Sequence, residues 1–369
     1  MSEHRIPITL GELAEAIGAR LVGDGSIELR RVVHPAEAES GSDLALAMEK
    51  RFLDLLPESK AAAAVVKNER AATGPQRGFL VVDRSRYAMA KLIEIFTAPP
   101  RQTPGIHPSA FVDDSAEIGD GVSVGPLTSV GPGARIGART TLLDNVTVGA
   151  GASVGEDCLI HPGVRIGERV ILGDRVICQP NGVIGSDGFS YVTPDPGSVE
   201  SAKASGRVEN TNTQIVRINS LGTVIIEDDV ELGANVTIDR GTVSATRIGK
   251  NSKLDNQVHV AHNVVVGENC MLCGQVGIAG SSVIGDRVVM AGQAGVSDHV
   301  TVGSDSVIAG KSGVGRNLDP KSVVAGYPAR DKAVAFQEIA TLRRLGSFME
   351  DIKQVKARLK ALEDGEKEN

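Results

Sequence analysis

The sequence predicts a mainly β protein whose central part is a parallel β-helix. Aliphatic residues recur at every sixth position from Ile106 to Ile184, where Cys178 is the one exception, and apolar residues recur in the same way from Ile248 to Val314, with Met290 among them. The position four residues further on is small or β-branched, and only 3% of the residues are aromatic. Neither an α-helix nor an alternating strand has a period of six. The repeat is therefore typical of stacked coils of eighteen residues, each with three short strands and three corners.

Two inward positions in every six residues would bury a continuous aliphatic column, while each strand pairs with the coils on either side. We expect the glycines that follow the aliphatic residues, such as Gly119, Gly125 and Gly137, to supply the turn conformations at the corners. Resemblance to the hexapeptide-repeat class implies a left-handed coil, whereas the general crossover rule favours the right hand. Sandwich or barrel strands are the alternative, but they seldom keep one phase across so many repeats.

Residues 1–100 are predicted to form a small α/β domain. Thr9 and Glu12 have the spacing of a capping box, and Gly18 is placed to end the first helix. Short apolar stretches at 27–33 and 62–66 predict strands, and 87–96 predicts a second helix. The prolines that follow predict a stiff linker into the first coil: Pro99, Pro100 and Pro104.

The β-helix is predicted over 101–328, with two interruptions of its period. Residues from about 186 to 223 form a surface excursion, and a shorter slip from Asp239 to Thr246 leaves the coil as one loop. From 329 to 369 the apolar spacing becomes helical after Pro328, and the end resembles a short heptad seam that would add to a trimer held by the β-helices. The part from Ala329 to Leu362 has eight basic and four acidic residues, which indicates either an acidic partner or a solvated helix face.

Composition excludes several classes of function. A net charge of −7 gives no general case for nucleic-acid binding, and no apolar run approaches the length of a membrane span. The first thirty residues lack the apolar core of a signal peptide, so we expect a cytoplasmic protein. Cys158, Cys178 and Cys270 fall on inward positions and fit a core role. Cys270 and Cys273 form a single C-x-x-C pair, and no metal site is predicted from it.

The eighteen-residue coil also predicts which candidate catalytic residues lie near one another. Eighteen residues after His262 comes Gly280, and eighteen further comes the neighbour of His299, so the three should share one edge of the helix. Strand spacing puts the two histidines about 10 Å apart along the axis. An imidazole that can take a proton near neutral pH and a glycine N–H that can hold an oxyanion favour acyl transfer. No nucleophile accompanies them in a recognised elbow, which favours direct attack on a thioester.

The segment 253–264, KLDNQVHVAHNV, and the segment 238–241, IDRG, resemble the signature of the UDP-3-O-acylglucosamine N-acyltransferase family. The resemblance covers nearly the whole chain. It implies transfer of a 3-hydroxyacyl chain from acyl carrier protein to the 2-amino group of UDP-3-O-acylglucosamine in lipid A biosynthesis. The donor would be carried on the phosphopantetheine of the carrier, with no other cofactor. It further implies a homotrimer with active sites between subunits, and C-terminal helices that receive the carrier protein.

Carried over residue by residue, the resemblance makes His262 the general base, Gly280 the oxyanion donor and His299 a residue that places the thioester. It implies that Asp255 contacts the sugar and that Asn256 and Asn263 support the site.

For uracil, the family often uses two aromatic residues six apart. Here Leu46 and Phe52 stand at those positions, so stacking is expected on Phe52 and apolar contact on Leu46. Small residues around 310–314, notably Gly310 and Gly313, are expected to line the end of the acyl groove.

Three other functions remain open on sequence grounds. A related UDP-sugar O-acyltransferase uses the same scaffold, although that family lacks this N-terminal domain and this DNQ-to-AHNV run. A metallo-hydratase would need three histidines around zinc, but His259 and His262 fall in different phases of the repeat. A non-catalytic scaffold would bind a nucleotide or the carrier protein without turnover.

Overall fold

The computed structural model describes residues 6–97, 103–326 and 330–366, with side chains as far as 360. The chain divides into two compact units, Met1–Pro100 and Arg101–Asn369. Pro99, Pro100 and Pro328 lie outside the described residues, as does the side chain of Leu362 in the predicted seam.

The N-terminal unit is built on a five-stranded sheet and a two-stranded one. The two-stranded sheet pairs Ile8–Thr9 with Glu28–Leu29. The larger sheet contains, from edge to edge, Arg20–Gly23, Gly78–Val81, Ala63–Val66, Asp43–Leu46 and Arg31–Val33. Its helices are α1 (Leu10–Ile17), α2 (Lys50–Leu53) and α3 (Ser85–Phe96), and its single 3₁₀ turns are Pro35–Glu37, Leu56–Glu58 and Glu69–Ala71.

The predicted capping box is present at the start of α1. The Thr9 side chain accepts from the Glu12 N–H, the Glu12 carboxylate accepts from the Thr9 N–H at 2.9 Å, and Gly18 ends the helix in the left-handed region. The single strand predicted over 27–33 is wrong, because it is split at Arg30 into segments that belong to different sheets. Helices α1 and α3 pack on one face of the larger sheet, while α2 and the turn at 56–58 contact the other.

The second unit is a parallel β-helix with three sheets, A, B and C, one on each side of a triangular prism. Sheet A contains Gly105–Ile106, Ser123–Val124, Thr141–Leu142, Leu159–Ile160, Ile177–Cys178, Glu231–Leu232, Lys253–Leu254, Met271–Leu272, Val289–Met290, Val307–Ile308 and Val323–Val324. Sheet B contains Phe111–Val112, Ser129–Val130, Thr147–Val148, Arg165–Ile166, Val183–Asp187, Thr237–Arg240, His259–Val260, Gly277–Ile278, Gly295–Val296 and Gly313–Val314. Sheet C contains Glu117–Ile118, Arg135–Ile136, Ser153–Val154, Ile171–Leu172, Val224–Ile226, Thr246–Ile248, Val265–Val266, Val283–Ile284 and Thr301–Val302.

The core of the β-helix is the predicted aliphatic column. Ile160, Leu172 and Val260 are fully or almost fully buried, and so are the small residues four positions after the aliphatic ones, such as Val258. Ile106 is an exception at 52% exposure, because the first coil has a neighbouring coil on one side only. The predicted period of six is therefore the period of the core.

The role predicted for the glycines after the aliphatic residues is wrong. The left-handed backbone conformation lies two residues later, at positions such as Arg139 and Asn145. The glycine itself is required by close approach of the next coil. A Cβ on Gly137 would lie 2.5 Å from the carbonyl carbon of Gly155, and one on Gly119 would lie 2.8 Å from the Ala138 nitrogen. These glycines thus allow the coils to stack at strand spacing.

Both interruptions of the period leave from sheet B. The first contains an antiparallel pair, Tyr191–Val192 with Val216–Arg217, and helix α4 (Ser198–Ser205). The second is shorter than predicted, because Asp239 and Arg240 stay in their strand opposite Ser186 and Asp187 and are buried. Thr246 begins the next strand, so only 241–245 form the loop.

The C-terminal segment is one helix, α5 (Lys332–Glu366). Its apolar side chains are exposed in the single chain, including Phe336, Leu342, Phe348 and Val355. Among the described residues, no helix combines the length and apolar character needed to cross a membrane.

Candidate active site

A groove runs along the outer face of sheet B in the C-terminal half of the β-helix. The direction toward the C-terminal coils is called upward below. Its floor has almost no side chains, because the outward position of three successive strands is glycine: Gly277, Gly295 and Gly313. A second column of small residues continues beside them, at Ala261, Ala279 and Ser297. Phe189 of the excursion lines the lower end and is 85% exposed. The groove is apolar and open along its length.

His262 lies at the lower end of this groove, at the corner between sheets B and C. Its ring fits between two glycines. A Cβ on Gly280 would lie 2.8 Å from Cε1 and 2.9 Å from Nε2 of His262, and one on Gly188 would lie 2.7 Å from the histidine Cβ. Any other residue at either position would collide with the imidazole. The predicted stacking of Gly280 on His262 is present.

Asn263 determines which ring nitrogen of the neutral His262 side chain carries the proton. The amide Oδ1 of Asn263 accepts from the Thr242 N–H at 2.9 Å, and its Nδ2 donates to Ser244 Oγ at 2.9 Å. The His262 Nδ1 is 3.2 Å from the same Oδ1. Because an amide oxygen only accepts, Nδ1 must be the donor in the neutral ring. The lone pair is then on Nε2, the nitrogen beside Gly280.

Gly280 has an N–H that no group accepts among the described residues. The equivalent position at the other two corners makes no main-chain donation either: proline occupies it at Pro126 and Pro162, and at Glu268 the N–H donates to the side chain of Asp286 at 3.0 Å. One coil above Gly280 the equivalent residue is Asp298, but no hydrogen bond joins the Gly280 N–H to it among the described residues. An open N–H next to the Nε2 of a histidine can stabilise an oxyanion.

His299 lies at the same corner two coils above Asn263, in the left-handed region and exposed. Its backbone N–H donates to the Gly280 carbonyl at 3.1 Å. Its ring is not among the groove-lining groups. The structure therefore places His299 on the expected edge but does not bring its imidazole to His262.

Asp255 and Asn256 lie at the opposite corner, between sheets A and B. Asp255 accepts from the Gly274 N–H at 2.8 Å, and Asn256 accepts from the Ala234 N–H at 2.7 Å. Both line surface depressions that do not include His262. Within one chain the width of sheet B separates these residues from the histidine.

Two further predicted positions are not where the sequence suggested. Gly310 lies at the corner between sheets A and B, above Gly292, so its place in the groove is wrong; Gly313 does line the groove. Leu46 packs on the helix α1 and α3 face of its sheet and Phe52 on the other face, since successive strand residues point to opposite sides. Phe52 contacts His34 edge-on and the Arg51 guanidinium. Leu46 and Phe52 thus pack against different apolar clusters.

Sequence reasoning missed the buried Asp239 and treated His259 only as a possible metal ligand. Both line the groove, with His259 Nε2 at 3.8 Å from Asp239 Oδ2. A polar residue directly after the inward Ile238 was the available signal. No group of three or more metal-ligating side chains occurs in the described part of the chain.

The buried thiols of Cys158 and Cys270 are not suited to nucleophilic chemistry. Burial raises the pKa of the Cys158 thiol to about 11 and also raises the pKa of Cys270. A protonated, buried thiol is a poor nucleophile at neutral pH. The geometry at His262 and Gly280 thus fits direct proton transfer and carbonyl activation.

Family models match two parts of the β-helix. The model of bacterial transferase hexapeptide repeats (six repeats) matches residues 245–280, and that of the GMPPB C-terminal domain matches 102–187. The solved structure of the Arabidopsis UDP-N-acetylglucosamine acyltransferase is similar to 60% of this chain and 71% of its own, with a TM-score of 0.50 and 24% identity. This likeness concerns the fold, which is the predicted left-handed parallel β-helix.

Curated relatives cover more of the chain. The UDP-3-O-acylglucosamine N-acyltransferase of Paracoccus denitrificans is 48% identical over 261 residues, which are 70% of this chain and 71% of the relative. The proteins of the same name from Ruegeria pomeroyi and Anaeromyxobacter dehalogenans are 45% and 37% identical, over 69% and 70% of this chain and 71% and 69% of their own. With this identity over more than two thirds of each relative, the chain is an acyltransferase and belongs to the UDP-3-O-acylglucosamine N-acyltransferase family.

Proposed function

We propose that this protein transfers a 3-hydroxyacyl chain from acyl carrier protein to the 2-amino group of UDP-3-O-acylglucosamine, a step of lipid A biosynthesis in the cytoplasm. The observation that carries the proposal is the fit of His262 between Gly188 and Gly280, with Nε2 available as a base and the Gly280 N–H open. The names of the curated relatives support the choice of acceptor.

The reaction needs one base and one oxyanion donor. The amine nitrogen attacks the thioester carbonyl carbon, and its proton passes to Nε2 of His262 as the C–N bond forms. The carbonyl electron pair moves onto oxygen, which the Gly280 N–H stabilises. When the carbonyl re-forms, the C–S bond breaks and the proton on His262 goes to the leaving sulfur. No covalent enzyme intermediate is required.

The groove above His262 suits the acyl chain. Gly277, Gly295 and Gly313 leave a smooth apolar channel that starts beside the reacting carbonyl and runs along the axis. An alkyl chain laid in it would remove from water the side that faces the floor of the groove. Gly313 lies near the upper end and would limit the chain length.

We also propose a homotrimer. Asp255 and Asn256 are at the far corner of sheet B from His262 in one chain, so a sugar contact by these residues at the same catalytic centre requires a neighbouring copy. The exposed apolar side chains of α5, such as Leu342 and Leu345, are suited to helix packing between copies. The basic residues of α5 would receive the acidic carrier protein.

The N-terminal unit would bind the uridine. Phe52 is the aromatic residue available for stacking, although Arg51 already lies 4.5 Å from the centre of its ring. Leu46 would offer apolar contact, although it packs against a different apolar cluster from Phe52.

The test is acyl transfer by the purified protein from 3-hydroxyacyl carrier protein to UDP-3-O-acylglucosamine, with the product analysed by mass spectrometry. An amide that survives mild alkali supports N-acylation, and an alkali-labile ester indicates O-acylation instead. Replacing His262→Ala should lower kcat by about 100-fold or more, because the general base is lost. His107→Ala, which removes a histidine in the first coil, is the control. Transfer at the wild-type rate by the His262 variant would show that the base is another group.

A further inference from the structure

The groove contains a polar pair that the reaction above does not use. His259 projects outward from sheet B and its side chain is 51% exposed, while the side chain of Asp239, from the strand one coil below, is 8% exposed. Both line the groove next to His262. The neighbouring floor is mostly glycine and alanine, and besides this pair only His262 and Ser297 contribute polar side chains to the described lining of the groove.

Only one oxygen of the Asp239 carboxylate accepts a hydrogen bond from the described residues. A register shift between Ile184 and Ser186 puts Ser186 opposite Asp239, and its hydroxyl donates to Oδ1 at 2.6 Å. Nothing among the described residues donates a hydrogen bond to Oδ2. The adjacent guanidinium of Arg240 does not neutralise it, because Nε donates to the Gly185 carbonyl at 2.8 Å and the nearest carboxylate to it is that of Asp187. A nearly buried carboxylate thus keeps one oxygen open toward the groove.

The spacing of the pair fits one ligand atom. His259 Nε2 and Asp239 Oδ2 are 3.8 Å apart, too far for a direct hydrogen bond. An oxygen placed at the edge between them could lie at about 2.8 Å from both. A hydroxyl group matches this arrangement, because it donates its proton to the carboxylate and accepts from an imidazole N–H.

We propose that Asp239 and His259 form a hydroxyl-binding subsite beside the catalytic histidine; this rests on the acyl transfer proposed above. A hydroxyl that entered the apolar groove without a partner would lose its hydrogen bonds to water, at a cost that the pair removes. Two substrate groups offer this chemistry: the 3-hydroxyl of the acyl donor and the free hydroxyls of the glucosamine acceptor.

The experiment compares matched substrates with and without each hydroxyl. The donors are 3-hydroxyacyl and unsubstituted acyl carrier proteins of one chain length, and the acceptors are UDP-3-O-acylglucosamine and its 4-deoxy and 6-deoxy analogues. We expect the wild-type protein to prefer the hydroxylated member of one pair in kcat/KM by about tenfold to a hundredfold. His259→Ala and Asp239→Asn should bring that ratio close to one, and the pair concerned identifies the source of the hydroxyl.

His107→Ala, a histidine in the first coil, should keep the wild-type ratio. An unchanged ratio in both subsite variants would overturn the proposal, as would a fall in kcat/KM by the same factor for every substrate, which is the result of a purely structural role. If Asp239→Asn unfolds, as judged by circular dichroism, His259→Ala still tests the proposal, because the His259 side chain is exposed.

A binding measurement separates this proposal from the proposed function. If the wild-type protein transfers no acyl chain to any UDP-glucosamine acceptor, the function assigned above is wrong. Calorimetric titration with 3-hydroxyacyl-pantetheine, acyl-pantetheine and the UDP-glucosamine analogues then tests the subsite without turnover. Tighter binding of a hydroxylated ligand that is lost in His259→Ala supports it, and equal Kd values for the two proteins overturn it.

Discussion

The orientation of His262 depends on the single amide of Asn263. Replacing Asn263→Asp keeps an oxygen beside Nδ1, and the Ser244 hydroxyl can donate to the other oxygen. The added charge stabilises the protonated imidazole, so the acid limb of the pH profile of kcat/KM should move up by about one pH unit. Asn251→Asp, at a left-handed corner position away from the groove, is the control. An unshifted profile would mean that the Nδ1 contact does not control the base.

A second prediction concerns Asp43 in the N-terminal unit. Its carboxylate accepts from Arg31 Nε and Nη2, each at 2.9 Å, and this holds the pKa of Asp43 at about 2 despite its burial. A lowered pKa stabilises the fold above the unfolded value near 3.8, and this stability is lost as pH falls toward 2. Asp43→Asn should therefore cost about 1–2 kcal/mol at neutral pH, since Arg31 is half exposed and its charge is screened.

The measurement is hydrogen exchange of the strand Asp43–Leu46, comparing variant and wild type at the same pH. The difference should be largest near neutral pH, reduced at about pH 3 and small at about pH 2 and below, where the carboxylate becomes protonated in the folded state. Glu39→Gln, which removes the exposed carboxylate that also contacts Arg31, should have the smaller effect. A difference that does not narrow in acid would exclude the ionised pair as its cause.

At the same scale, the sequence predicted some site residues well and others poorly. Counting eighteen residues from His262 leads to Gly280 because the coils stack in register, so axial position can be read from the period. The direction in which a side chain points cannot be read from the period. His299 occupies the corner position of Asn263 rather than that of His262, and its ring leaves the groove for that reason. Asp239 was missed because its burial depends on pairing with the strand Val183–Asp187, and the period of six is interrupted at that strand.

At the level of secondary structure, the corners of the β-helix use two different kinds of glycine. Gly133 has a left-handed backbone and open space around its Cα, while Gly137 in the same coil faces the backbone of Gly155 at 2.5 Å. Gly133→Ala should cost about 1 kcal/mol of conformational strain. Gly137→Ala should cost about 3 kcal/mol or more, because backbone must move. Thermal unfolding by circular dichroism measures both, and equal losses would show that close approach is not the limiting factor.

The elements of the N-terminal unit were harder to predict than the coils. Gly78–Val81 is buried along its whole length, so it lacks the alternation that identifies a strand. The strand Asp43–Leu46 begins at a buried carboxylate, which composition alone does not suggest. The capped helix α1 was predicted correctly, because its signals are local in the sequence.

At the level of the whole molecule, the groove gives the protein a way to measure the acyl chain. Gly313→Met would place a long side chain at the upper end of the channel. We expect kcat/KM for the longest accepted donor to fall by about tenfold or more while a shorter donor is used as well as before. Thr147→Met, on the outward face of sheet B several coils below, is the matched control. Mass spectrometry of products from a mixture of donors reports the preference, and an unchanged preference would place the end of the channel elsewhere.

The stacking of coils also limits how such a chain can change in length during evolution. Paired residues are eighteen apart through most of the helix, as for Arg139 and Asp157, and fifty-four apart across the excursion, as for Arg175 and Asp229, yet the contact is the same. An insertion or deletion of one residue within a coil would turn aliphatic side chains to solvent and polar ones into the column. Tolerated length changes are therefore of two kinds. Whole coils can be added or removed, and loops can grow outward from sheet B, as in both interruptions of this chain, where new sequence arrives beside the groove and leaves the core untouched.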